Sequence, residues 1–210
     1  MKLTEYKLSE FVDVLAGSEP APGGGSVSAL AASLGSALTN MVCALTAGKK
    51  KYAEHEALAL ETSQKITALR ARLMDKINED TAVYNGVSAV FAMPKDTDVE
   101  KTARKDAMEA ALKAATLVPF DVMGLCLEGL LLTSGIVGKS NPNTASDLGV
   151  AALCLGAGVK GAWLNVLINL SGIKDEGFTA DHKQKGADIL AKAAGLADDV
   201  YARVLGDMGC

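Results

Sequence analysis

Residues Ser26 to Ala47 read SVSALAASLGSALTNMVCALTA, and none of them is charged. As a helix the run is about as long as a bilayer core is thick, so it is either a membrane span or the centre of a helical core. Composition separates the two. Half of the run is Ala, Ser or Gly, with Thr39 and Asn40 inside it, and its transfer into lipid is weakly favourable at best. A helix that is apolar and small all round fits a central position, where neighbouring helices approach closely across its small side chains. A second run, Leu148 to Leu170, carries Lys160 as its one charge and reads the same way. No membrane partner is expected.

Working outward, helical signals cover nearly the whole chain, and no segment shows the sustained alternation of a strand. Before the uncharged run, Leu8, Phe11, Val12 and Leu15 fall on one face of a short helix that stops at Gly17. A Gly-rich turn follows at Gly23, Gly24 and Gly25. After the run comes Gly48-Lys49-Lys50-Lys51, and from about Ala53 a long stripe proceeds through Leu58, Ile66, Leu69, Leu73, Ile77, Tyr84, Val87 and Phe91 to Pro94. Thr97 or Asp98 caps a further helix, whose pattern continues past Pro119 to Val137 with a kink or break at the proline. Ser140-Asn141-Pro142-Asn143 is a turn by composition. Thr144 to Asp147 has the spacing of a capping box before the second uncharged run. A last amphipathic helix from about Thr179 turns Ile189, Leu190, Leu196, Val200 and Val204 inward. The expectation is an all-α multihelical bundle with buried central apolar helices, one domain over residues 1–210.

The 210 residues, 49% of them hydrophobic, suffice for one sizeable core. A net charge of −4, with both signs spread along the chain, offers no basic stripe for nucleic acid. Cys43, Cys126, Cys154 and Cys210 are far apart, and His55 and His182 are the only histidines, so neither a zinc site nor a disulfide framework is signalled. The N-terminus turns charged at once and has no secretory signal, so a cytoplasmic location is expected.

Three features bear on chemistry. In the long stripe Asp80 stands where a core residue is due; a half-buried carboxylate there has a raised pKa useful for general acid/base work, unless it turns outward to pair with Lys76 or Arg72. Gly23-Gly24-Gly25-Ser26 precedes a helix, so it is either a turn capped by Ser26 or a cradle of free N–H groups for an anion or a polar ligand edge. Asn141, Asn143, Ser146 and Asp147 cluster in sequence, and Asn165 and Asn169 share a face one turn apart. Such amides either join helices or line a pocket for a heterocycle. Two nucleotide motifs fail. Gly156 to Gly161 matches GxGxxG, but too little chain follows for the strand–helix units that use it. Gly135 to Ser140 has Thr133 where a phosphate loop needs its first glycine.

Taken together, Pro20-Ala-Pro-Gly-Gly-Gly-Ser-Val27, Asp80 with Tyr84, Met93-Pro94-Lys95, Asn141 through Ser146-Asp147-Leu148, and Gly161-Ala-Trp-Leu-Asn-Val-Leu-Ile-Asn-Leu170 resemble the cyclodeaminase domain of formiminotransferase-cyclodeaminase and its stand-alone cyclohydrolase relatives. The resemblance covers almost the whole chain. It implies an all-helical homodimer acting on the one-carbon unit that bridges N5 and N10 of tetrahydrofolate, with Asp80 as proton acceptor and no metal or other cofactor. On that footing Asp147 or a water assists Asp80. Gly23, Gly24, Gly25 and Ser26 form one wall of a folate site and offer it backbone N–H groups. Tyr84, Asn141, Ser146, Asn165 and Asn169 complete the site, the last two on the pterin, and Lys49, Lys50 and Lys139 meet the glutamate tail by charge. The chain carries no transferase portion, which favours methenyltetrahydrofolate cyclohydrolase; formiminotetrahydrofolate cyclodeaminase, a non-catalytic folate-binding scaffold and a nucleotide-binding protein are the alternatives.

Overall fold

In the computed structural model, which describes residues 2–209, the uncharged run forms most of helix α2, Gly24–Thr46. The other helices are α1, Leu8–Leu15; α3, Glu56–Phe91; α4, Asp98–Ile136; α5, Ala145–Leu170; and α6, Glu176–Asp207. Short 3-10 turns occupy Leu3–Glu5, Lys50–His55 and Pro142–Thr144, and the described residues contain no strand. Helix α2 packs on α3 and antiparallel to α5, while α4 lies across α3, α5 and α6. The buried side chains, from Val42 and Ile66 to Leu130, Leu155 and Val200, form one cluster.

Small residues set the spacing of α2 and α5. A Cβ on Gly35 would lie 2.7 Å from the Ala151 carbonyl oxygen, and one on Gly158 would lie 3.0 Å from both Ala32 Cβ and Ser28 O. The hydroxyls that made this helix look half polar are satisfied internally. Ser33, Ser36, Thr39 and Thr46 each donate to the carbonyl four residues earlier, so they enter the core without an unpaired donor. The spans Gly24–Thr46, Asp98–Ile136 and Pro142–Leu170 are long and apolar enough to cross a membrane by length and composition, and about half of each apolar window is buried within the fold.

Several sequence expectations shift. Thr97, not Asp98, caps α4: its hydroxyl accepts from the Glu100 N–H, and Glu100 accepts from the Thr97 N–H. Helix α6 begins at Glu176 behind an Asp175 cap, ahead of Thr179. At the start of α5 the Thr144 hydroxyl bonds Asn141 O instead of closing a box with Asp147. Leu8, Val12 and Phe91 are exposed at 75%, 52% and 63%, and Phe91 lines an open groove beside α4 instead of entering the core.

Pro119 does not break α4, which continues to Ile136. A proline removes the donor that would serve the carbonyl four residues earlier, here Ala115 O. The side-chain amide of Asn169 on α5 donates to that oxygen at 2.8 Å, so the missing bond is replaced from the neighbouring helix. Asn169→Leu is expected to destabilise the fold by about 1–3 kcal/mol, the usual penalty for a half-buried acceptor left unpaired. Adding Pro119→Ala, which returns an N–H to Ala115 O, is expected to recover most of that loss. Urea denaturation of the two single variants and the double variant checks the coupling, and simple additivity would refute it.

Candidate active site

Residues Gly24, Gly25 and Ser26 form the first turn of α2, and the cap position before them is Gly23, which has no side chain to receive their N–H groups. Asp80 supplies what Gly23 cannot. From the middle of α3, its Oδ2 accepts the Ser26 N–H at 2.8 Å and lies 3.0 Å from the Ser26 hydroxyl, which also donates to Ile77 O at 2.9 Å. The close approach needs glycine at 25: a Cβ there would collide with Asp80 Oδ1. The outward reading of Asp80 is excluded, since Lys76 pairs with Glu79 and Asp121 and Arg72 with Glu128.

Oδ1, the other carboxylate oxygen, accepts no hydrogen bond from the described residues. Asp80 lines a cavity of about 240 Å³ whose walls are Pro20, Ala21 and the three glycines on one side, Val83, Tyr84 and Val87 of α3 on another, and Ala115, Asn165, Ile168 and Asn169. Burial pushes the Asp80 carboxyl above its ordinary range, against the opposing pull of the two Ser26 hydrogen bonds. The result is a carboxylate that is anchored at one oxygen and open at the other, in a pocket that is largely apolar on the α3 side and carries amides on the α5 side.

The structure therefore gathers Gly23, Gly24, Gly25, Ser26, Asp80, Tyr84, Asn165 and Asn169 at one place. Two roles need correction. The Ser26 N–H is consumed by Asp80 and is not offered to a ligand, and the Asn169 amide is consumed by Ala115 O. Asn165 donates its amide to Gly161 O in its own helix, which leaves its oxygen as the group able to meet a ligand.

The remaining sequence candidates lie at the other end of the α2–α5 pair. Asp147 precedes Asn165 on the same helix by 18 residues, about 27 Å, and cannot share a proton with Asp80 of its own chain. Asn141 is a clamp on the end of α2: its N–H donates to the Thr46 hydroxyl at 3.0 Å, and its side-chain oxygen accepts from the Tyr52 hydroxyl at 2.9 Å and the Asn143 N–H at 3.1 Å. Ser146, Lys49, Lys50 and Lys139 are exposed in the same region, around a separate cavity of about 640 Å³ lined by Lys51, Tyr52, His55, Ser140 and Pro142 among others. Nearness in sequence had grouped Asn141 and Ser146 with Asp147, and the lysines were assigned by charge. What they share is the loop end of the bundle, not the carboxylate.

The sequence reading missed Val83 and Val87. Both step three or four residues from Asp80 and Tyr84, so the helical repeat that singled out Asp80 also marks them. The buried cysteines are poor nucleophiles, with burial pushing the Cys43 thiol up to about 11 and that of Cys126 to about 12. Among the described residues, no three His, Cys, Asp or Glu side chains gather into a metal-binding group.

Fold and pocket together define an all-helical protein in which a half-buried carboxylate is bonded to a helix N-terminus and lines a pocket. The chain belongs to the formiminotransferase-cyclodeaminase family, whose sequence model matches residues 7–188. It is 39% identical to a methenyltetrahydrofolate cyclohydrolase of Methylorubrum extorquens, over 94% of this chain and 95% of that protein. It is 31% identical to the formimidoyltransferase-cyclodeaminase of Sus scrofa, over 96% of this chain but 37% of that longer protein. The crystal structure of a formiminotetrahydrofolate cyclodeaminase from Thermotoga maritima superposes with a TM-score of 0.81 at 27% identity, covering 99% of this chain and 98% of that one.

The raised pKa of Asp80 has a consequence for stability. Between the ordinary aspartate pKa of about 3.9 and the raised folded value, the folded chain holds a proton that the unfolded chain has lost, so stability falls as pH rises through that window. Asp80→Asn keeps an acceptor for the Ser26 N–H and removes the titration. Its melting temperature is expected to exceed that of the parent at pH 7, the gap closing as the pH falls toward 4. Thermal melts across that range check it.

Proposed function

We propose that this chain is a 5,10-methenyltetrahydrofolate cyclohydrolase, converting the methenyl compound and water to 10-formyltetrahydrofolate. The observation that carries the reading is Asp80, anchored by Ser26 and open to the pocket at Oδ1. The near full-length likeness to the M. extorquens enzyme supports it. The methenyl carbon bridges N5 and N10 in a cationic amidinium, and a carboxylate beside it favours binding of that cation. Asp80 takes a proton from water as the water oxygen bonds the carbon, and a neutral tetrahedral adduct results. Asp80 then returns the proton to N5 as the carbon–N5 bond breaks. The adduct hydroxyl loses its proton to solvent as the formyl C=O forms on N10, so one proton is released overall. No electron transfer occurs, and the reaction as written calls for no cofactor. The apolar wall of Val83 and Val87 packs against the substrate, and the Asn165 oxygen accepts from a pterin N–H; both line the Asp80 cavity, which supports these roles.

A second reading, formiminotetrahydrofolate cyclodeaminase, draws on the T. maritima structure, which matches over nearly all of both chains. There N10 attacks the formimino carbon and Asp80 protonates the departing ammonia. Both readings are tested by following the ultraviolet band of methenyltetrahydrofolate with purified protein. Decay of that compound above its spontaneous rate is expected, and its appearance from the formimino compound would instead favour the cyclodeaminase. In either case Asp80→Asn is expected to lower turnover by about 10²–10⁴-fold. Near-parental turnover in that variant would remove Asp80 from the mechanism, and no turnover of either compound would defeat the enzyme reading.

We further propose that the protein is a homodimer paired through the outer face of α2 and α5. Val27, Leu34 and Met41 recur every seven residues on α2, and Val150, Leu153, Leu164 and Ile168 line α5; all are exposed. An apolar face of this length on a protein with a packed core calls for a cover, and a second copy offers the same face in return. Sedimentation equilibrium is expected to give twice the chain mass, and Leu34→Asp with Leu164→Asp is expected to give single chains. A monomeric parent, or one that partitions onto lipid vesicles, would overturn the pairing.

A further inference from the structure

Ser26 is fully buried where α2 meets α3, and its single hydroxyl proton has two acceptors within reach. Ile77 O lies 2.9 Å from Oγ, and Asp80 Oδ2 lies 3.0 Å from it. A serine hydroxyl carries one donor, so these two bonds are alternatives. The Ser26 N–H is different. It is fixed in the first turn of α2 and donates to Oδ2 at 2.8 Å whichever way the hydroxyl turns. Thr81 Oγ1, 3.4 Å from Ser26 Oγ, is able to donate to that oxygen in either setting.

The charge on Asp80 decides between the two acceptors. A hydrogen bond to an ionised carboxylate is about twice as strong as one to a neutral oxygen. While Asp80 is charged, the hydroxyl is drawn to Oδ2, which then accepts from both Ser26 donors, and Oδ1 keeps its lone pairs for the pocket. Once the carboxyl is neutral that advantage is gone, and Ile77 O takes the hydroxyl. Ile77 lies in the interior of α3, where its carbonyl already has a helical partner, so no acceptor is stranded when the hydroxyl turns away. The N–H bond to Oδ2 persists throughout and holds the carboxyl in one orientation.

We propose that Ser26 is a positioning residue for the reaction, its hydroxyl turning between Ile77 O and Asp80 Oδ2 with the charge on Asp80 and so directing the arriving proton to Oδ1. The inference rests on the reading of Asp80 as proton acceptor. As the water oxygen bonds the methenyl carbon, one water O–H bond breaks and the proton bonds Oδ1; Ser26 keeps its own proton and changes only its acceptor. When the proton passes from Oδ1 to N5, the carboxylate is charged again and the hydroxyl returns to Oδ2. No neighbouring charge competes for this control. Among the described residues, the cavity walls contributed by α2, α4 and α5 hold no titratable side chain, and α3 adds Tyr84 alone to Asp80. Lys76, one turn before Asp80, is held by Glu79 and Asp121. The opposing effects on the Asp80 carboxyl, raised by burial and lowered by its two Ser26 bonds, agree with a hydroxyl that favours the charged form.

Ser26→Ala removes the hydroxyl and keeps the N–H, and carbon-13 NMR of the ligand-free protein reads the result, with Asp80→Asn assigning the Asp80 carboxyl resonance. In the parent, the Ile77 carbonyl carbon is expected to shift with the same pKa as Asp80. In Ser26→Ala that movement is expected to vanish and the Asp80 pKa to rise by about one pH unit, the charged form having lost a donor. Ser26→Cys, close in size with a weaker donor, is expected to give a smaller rise and covers the case in which the alanine variant does not fold. The ascending limb of kcat/KM against pH for methenyltetrahydrofolate is expected to move up with the Asp80 pKa. An Ile77 carbonyl that does not titrate in the parent, or an Asp80 pKa unchanged in both variants, would overturn the proposal, as would a rate lowered equally at every pH with the limb in place. The expected NMR changes without turnover of either folate would support the turning hydroxyl and defeat the enzyme reading alone.

Discussion

The hydrogen bond from the Ser26 N–H to Asp80 Oδ2 joins α2 to α3, and it performs two tasks at once. It satisfies a helix-end donor that the preceding glycines cannot serve, and it fixes the orientation of a carboxylate in a partly apolar site. The glycines follow from this bond. Gly25 permits the carboxylate to come within contact of the α2 backbone, and Gly24 brings the helix start beside Asn165, where a Cβ would lie 3.3 Å from its amide nitrogen. A charge so placed carries a desolvation penalty that its Ser26 bonds offset only in part, which is the physical origin of its raised pKa.

A second exchange of hydrogen bonds holds the opposite wall. Pro119 frees Ala115 O, Asn169 takes it up, and both Ala115 and Asn169 line the pocket. The backbone of α4 is thereby tied to α5 at the depth where a substrate would sit. Polar groups that look costly in an apolar helix are in both walls the fasteners that position it. The small residues along α2 and α5 let the two helices approach closely enough for these fasteners to reach.

Much of this was legible in one dimension. The step of three or four residues from Leu73 and Ile77 through Asp80 to Tyr84 placed the carboxylate on the inner face of α3, and that face is buried. The same repeat put Asn165 and Asn169 together on α5, and both line the pocket. The reading failed where proximity in sequence stood in for proximity in space. Asn141 precedes α5 and Ser146 and Asp147 begin it, while Asn165 and Asn169 end it, so one helix carries them apart. Lys49 and Lys50 follow α2 while the glycines stand at its start, with the same outcome. Phe91 was counted inward because the stripe gives a direction but not how closely a neighbour packs, and it lines an open groove beside α4.

The sequence by itself determined the helical class, the central place of the uncharged run, and the odd carboxylate in an apolar stripe. These depend on periodicity and composition, which are local. Tertiary structure decided what Asp80 bonds, which of two polar clusters shares its pocket, and how Pro119 sits inside an unbroken helix. Each of these depends on which helix lies alongside which, and in what direction. Antiparallel packing of long helices sends residues that are neighbours at one loop to the far end of the molecule, and it joins residues more than fifty positions apart.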